Sequence, residues 1–115
     1  MKKIYYLKSC STCQRIIKEL DLGDDFEFQN IKEEAMTAEQ VDAMKEMAGS
    51  YESLFSRRAM KYRGMGLNEM TLTEADYKKY ILEEYTFLKR PVIIIEDKIF
   101  VGNSKKVVAA AKEAL

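Results

Sequence analysis

The first thirty residues of the chain read strand, helix, strand, and no other feature limits the fold as tightly. KIYYL (Lys3–Leu7) is aromatic, apolar and partly β-branched, the make-up of a short buried strand. Cys13, Ile16, Ile17 and Leu20 then recur at helical spacing along one face. Gly23 falls at the end of that helix or just beyond it. FEFQN (Phe26–Asn30) alternates apolar and polar side chains, as a half-buried strand does. A β-α-β unit of this kind is right-handed, and it places the cysteine pair where the first strand meets the first helix.

The middle of the chain is helical. TAEQ, from Thr37, is a capping box with Gln40 at its third helical position, and Val41, Met44 and Met47 mark the inner face of a helix that Gly49 stops. Ser50 can cap a short second helix through Tyr51, Leu54 and Phe55. Ser56–Gly66 is basic and ends in glycines, the pattern of a helix end and a loop. TEAD, from Thr73, opens a further helix whose buried stripe is Tyr77, Tyr80 and Ile81.

RPVIII (Arg90–Ile95) follows. The only proline, Pro91, suits the first residue of a strand. EDK is a tight-turn signal before IFV, so Val92–Val101 reads as a hairpin. Ser104 caps a last helix, with Val107, Val108, Ala111 and Leu115 facing inward. The order β-α-β, helices, β-β-α predicts an α/β, thioredoxin-like fold: a four-stranded mixed sheet with helices on both faces. Residues 38–85 are then a helical insertion between the two halves of a single domain spanning residues 1–115.

A chain of 115 residues suffices for one core without staples. Nineteen basic and nineteen acidic side chains cancel, so no overall field draws it to nucleic acid or an anionic membrane. The apolar run Ile4–Leu7 is far too short for a signal peptide, and a cytoplasmic location is expected. There is no histidine, which removes the usual general base and the commonest metal ligand.

Three readings compete for Cys10 and Cys13. Cys13 lies on the apolar helical face, where a thiol packs like a small hydrophobe. Structural zinc wants four ligands, and the chain offers two thiolates and no imidazole. Redox chemistry is the third. Cys10 lies in the polar loop KSCST just ahead of the helix, where unpaired N–H groups and the helix dipole favour its thiolate, and Lys8 adds positive charge. Cys10 would attack and Cys13, one turn further in, would resolve the product as a disulfide. The arginines also have two readings. Arg57, Arg58 and Arg63 in one loop, with Arg90 ahead of Pro91, form either a solvated basic surface or a cradle for a tetrahedral oxyanion.

Three stretches together resemble one family: CSTCQR, YESLFSRRAMKYRGMGL and FLKRPVIIIEDKIFVGNS. They are similar to the motifs of the arsenate reductase-like family of glutaredoxin/thioredoxin type, which includes the Spx transcription regulators. The resemblance implies Cys10 as the motif cysteine, Arg58 as the arginine of the middle motif, with Arg57 as its neighbour in an alternative register, and Arg90 before Pro91. It implies an oxyanion held by arginines, no bound cofactor, and glutathione, glutaredoxin or thioredoxin as electron donor. Arsenate reductases of this type carry a third arginine shortly after the hairpin, where this chain has IFVGNS, and lack a counterpart of Cys13. Both departures count against arsenate as the substrate. In Spx-type regulators the cysteine pair is a disulfide switch, and a contact to the RNA polymerase α subunit lies near a glycine. Gly49 lies close to that place, with a spacing to Arg58 one residue longer.

Redox work by the pair predicts that mild peroxide removes two hydrogens from the intact chain, read by mass spectrometry as an internal disulfide. An unchanged mass, or oxygen addition at both sulfurs, would contradict it.

Overall fold

A computed structural model describes residues 1–115. The elements are β1 (Lys2–Tyr6), α1 (Ser11–Leu20), β2 (Glu27–Asn30), α2 (Ala38–Ala48), α3 (Met60–Gly64), α4 (Glu74–Glu83), β3 (Val92–Ile95), β4 (Lys98–Val101) and α5 (Lys105–Ala114). Short 3-10 turns cover Glu52–Leu54, Leu67–Glu69 and Tyr85–Phe87. The chain divides into two compact units, Met1–Ala35 with Arg90–Leu115, and Met36–Lys89.

The first unit is built on a mixed sheet of order β2-β1-β3-β4. β1 pairs in parallel with β2, Ile4 opposite Phe28, and antiparallel with β3, Ile4 opposite Ile93. β3 and β4 form the expected hairpin, turning at Glu96 with φ 55°. Side chains alternate across a strand. Ile4, Ile93 and Ile95 therefore share one face, where they pack with Ile16 and Leu20 of α1 and with Val108 and Ala111 of α5. Within this unit both helices thus cover the same face, rather than one on each. The other face carries Lys3, Tyr5, Val92 and Ile94, all buried. Lys3 is admitted there by its ion pair with Glu27 at 2.8 Å and by the Tyr5 ring, 4.8 Å from its ammonium.

Two local expectations need correction. β2 forms, but its buried residue is Gln29, at 1% exposure, whereas Phe28 is 40% exposed. As an edge strand β2 leaves Phe28 at the sheet margin, meeting Tyr6 edge-on at 5.7 Å. Gln29 is on the opposite face, where its amide donates to the Glu34 carbonyl. Gly23 falls just beyond α1, as expected, and the cap itself is Asp21, which takes the left-handed conformation, φ 52°, with its N–H reaching the Ile17 and Lys18 carbonyls. Leu115 is half exposed at the end of α5 instead of facing inward.

In the second unit both capping boxes form, Thr37 with Gln40 and Thr73 with Asp76. Gly49 ends α2 at φ 101°, a conformation that favours glycine. Phe55 stacks on Phe87 at 5.0 Å and tilts against Tyr77 at 5.0 Å. The Ser56 N–H donates to the Phe87 carbonyl and the Lys89 N–H to the Leu54 carbonyl. Arg63 is not in a loop, because Met60–Gly64 closes a short helical turn.

Ile93 is buried in the apolar cluster of the first unit, so Ile93→Ala should cost about 2–5 kcal/mol by urea unfolding. A loss near zero would mean that the α1/α5 face is not the core.

Candidate functional site: a thiol pair at the amino end of α1

The turn after β1 delivers Cys10 to the N-cap of α1. Its N–H donates to the Leu7 carbonyl at 3.0 Å, and its own carbonyl accepts from Gln14 N–H at 3.1 Å, the first helical bond. The Cys10 backbone is extended, with φ −89° and ψ 112°, as an N-cap requires. An oxygen-bearing cap would normally bond the second or third N–H of the helix. Here a sulfur occupies that place, and the neutral thiol makes no side-chain capping bond. The N–H groups of the first turn are therefore left facing a thiol.

The two sulfurs respond in opposite directions. Burial by itself raises the Cys10 thiol. The N–H and thiol of Cys13, the Thr12 N–H and the Arg90 guanidinium outweigh that, and the net direction is down. Cys13 is fully buried, and burial pushes it up to about 11. The Leu7 backbone and Arg90 pull it down, but sharing its proton with Cys10 and facing the Cys10 charge raise it further. The pair therefore ionises at Cys10, which is partly exposed, while Cys13 keeps its proton beneath it. Both cysteines are free thiols in this structure.

Arg90 and Pro91 belong to the same unit as the cysteines. The Arg90–Pro91 bond is cis, and Pro91 is buried at the start of β3. Arg57 and Arg58 belong to the second unit. They are not equivalent there. Arg57 donates to Glu52 Oε2 at 2.7 Å and to the Tyr77 hydroxyl at 3.0 Å, and lies over the Tyr77 ring. Arg58 is exposed and enters no ion pair. No group of three or more His, Cys, Asp or Glu side chains is arranged as a metal site.

Sequence reasoning missed two polar residues that fix the loop carrying Cys10. Gln14 Nε2 donates to the Lys8 carbonyl at 3.1 Å, and Asn30 Oδ1 accepts from the Lys8 N–H at 3.3 Å. Gln14 is legible in hindsight as the residue next to the motif. Asn30 is not, since only the pairing of β1 with β2 brings it to Lys8.

The sheet order, the helix amino end carrying a cysteine and the cis-proline hairpin define a thioredoxin-like thiol fold. The chain belongs to the ArsC family, whose model matches residues 5–111. It is similar to a global transcriptional regulator, Spx 2 of Bacillus anthracis, at 24% identity over 105 residues, 89% of this chain and 79% of that protein. Among solved structures it is similar to an arsenate reductase (ArsC) related protein from Brucella melitensis, at 26% identity, TM-score 0.72, with 95% of this chain and 92% of that one covered. An arsenate reductase from Vibrio cholerae shares the fold at TM-score 0.77 and 14% identity, with 99% and 97% covered.

Removing the Arg90 charge takes a thiolate-favouring interaction from both sulfurs, so both thiols should rise in pKa in Arg90→Ala. The midpoint of the pH–rate profile for Cys10 alkylation by iodoacetamide should move up. A midpoint that stays or falls would contradict the placement of Arg90.

Proposed function

We propose that this chain is a thiol-disulfide oxidoreductase of arsenate reductase-like type, with Cys10 as nucleophile and Cys13 as resolving thiol. The observation that carries this reading is the opposed ionisation of the pair at the N-cap of α1: an accessible sulfur shifted toward thiolate above a buried one held as thiol. Such a pair does two jobs in order. The Cys10 thiolate attacks a sulfur of the substrate disulfide, whose S–S bond breaks with one half leaving as a thiolate and the other held on Cys10 as a mixed disulfide. That bond discharges the Cys10 negative charge, which removes one reason for Cys13 to hold its proton. Cys13 then attacks Cys10 Sγ, closes the disulfide and expels the reduced substrate.

Arg90 and Arg58 are the anion-stabilising residues in this reading. Arg90 already acts on both sulfurs, and Arg58 is uncommitted where Arg57 is bound to Glu52 and Tyr77, which favours Arg58 over Arg57 for the motif role. A guanidinium fork offsets the charge of an oxyanion or a departing thiolate where water is partly excluded. Pro91 shapes the groove beside the thiol. In this reading residues 38–85 are a helical insertion in a single thioredoxin-like domain. A thiol reductant (glutathione, glutaredoxin or thioredoxin) in the cytoplasm returns the pair to the dithiol.

A second reading rests on the Spx 2 likeness over 89% of the chain. There the same disulfide is a switch, and the partner is the RNA polymerase α subunit, met near Gly49. It predicts capture of the polymerase α C-terminal domain in one redox state and not the other. Equal or absent capture in both removes it.

The oxidoreductase reading predicts that Cys10→Ser abolishes turnover, and that Cys13→Ser accumulates a covalent adduct at Cys10, detected by intact mass after exposure to a small disulfide. Full activity in Cys10→Ser would overturn the mechanism.

A further inference from the structure

The end of β2 holds two successive peptides of the loop between β1 and α1, and each peptide faces a different cysteine. The Tyr6 carbonyl accepts from the Ile31 N–H at 3.0 Å, and the other end of that peptide, the Leu7 N–H, donates to the Cys13 sulfur. The next peptide is held the other way round. Its Lys8 N–H donates to Asn30 Oδ1 at 3.3 Å, and its Leu7 carbonyl accepts from the Cys10 N–H at 3.0 Å. A peptide is rigid and planar, so a partner at one end fixes the direction of the other. The contact to Cys13 is thus relayed from a backbone group, and the contact to Cys10 from a side chain.

Asn30 is itself anchored. Its Oδ1 accepts a second N–H, from Lys32, at 3.4 Å, and its carbonyl accepts from the Glu33 and Glu34 N–H groups at 3.1 and 2.8 Å. Gln14, in the first turns of α1, donates from Nε2 to the Lys8 carbonyl at 3.1 Å. The Lys8–Ser9 peptide, between the one held by Asn30 and Cys10, is therefore pinned as well.

Resting on Cys10 as the nucleophile, we propose that Asn30 and Gln14 are positioning residues for the attacking sulfur. They hold the Leu7–Lys8 and Lys8–Ser9 peptides so that Cys10 stays at the N-cap of α1, and they leave Cys13 to the Ile31 backbone. The neutral Cys10 thiol makes no capping bond, so it does not tie itself to the helix end. The loop places it there before the thiolate forms, and the thiolate then meets the Thr12 and Cys13 N–H groups already in position. The bond to Asn30 also polarises the Leu7–Lys8 peptide, which makes its carbonyl a better acceptor for the Cys10 N–H. Without Oδ1 the Lys8 N–H turns to water and the Leu7 carbonyl turns with it. The Cys10 sulfur then spends less of its time at the amino end of α1.

The test reads each sulfur alone, in the Cys13→Ala and Cys10→Ala chains, from the pH dependence of the NMR shift of labelled cysteine Cβ. Asn30→Ala and Gln14→Leu should each raise the Cys10 midpoint by about half a pH unit, roughly a threefold loss of thiolate below it, and leave the Cys13 midpoint in place. Gln14 is exposed on α1, so its variant decides the matter if Asn30→Ala does not fold. Asn30→Asp keeps the acceptor and should return Cys10 to its unsubstituted midpoint at 1 M salt, where a Debye length of about 3 Å screens the added charge. A Cys10 midpoint unmoved by both variants, equal shifts at the two sulfurs, or no recovery in Asn30→Asp would overturn the positioning role while leaving the oxidoreductase reading intact. A Cys10 that titrates no lower than Cys13 with the loop unaltered would overturn that reading and the positioning role with it.

Discussion

The first turn of α1 has backbone N–H groups with no helical acceptor, and the sulfur of Cys10 stands where a cap oxygen would usually meet them. Sulfur is a weak acceptor as a thiol and a much better one as a thiolate. The helix end therefore stabilises the anion rather than the neutral side chain. That preference lowers the Cys10 thiol, and the Arg90 guanidinium adds a separate pull on both sulfurs.

The fold is what keeps this arrangement in place. Parallel pairing of β1 with β2 requires the chain to cross over through α1, and Ile16 and Leu20 anchor that helix on Ile4, Ile93 and Ile95. The amino end of α1 then lies at the carboxyl end of β1. Cys13 is drawn into the interior on the same face of the helix as Ile16 and Leu20, and its burial is the source of its raised pKa. Packing thus sets two chemically identical thiols apart, an accessible one whose pKa is lowered and a buried one whose pKa is raised.

Much of this was legible in the sequence because the deciding interactions are local. Thr37 with Gln40, Thr73 with Asp76, and Ser104 with the Val107 N–H are caps closed within one turn. Pro91 ahead of four apolar residues marks the central antiparallel strand, and Cys10 ahead of the Cys13–Leu20 stripe marks the helix start. What could not be read depends on partners distant in sequence. The face on which Gln29 and Phe28 lie is set by pairing with β1, not by the alternation inside FEFQN. The distinction between Arg57 and Arg58 rests on Glu52 and Tyr77, and only the folded second unit brings Tyr77 to Arg57.

Titration of the ultraviolet thiolate absorbance in Cys13→Ala and Cys10→Ala, each keeping one sulfur, tests the central claim most directly. It predicts that Cys10 ionises below the ordinary thiol value of about 8.5. Cys13 should ionise well above Cys10, short of its wild-type position near 11 because the Cys10 charge is gone. Coincident titrations at the ordinary value, or Cys10 ionising above it, would show that the amino end of α1 does not select the reactive sulfur.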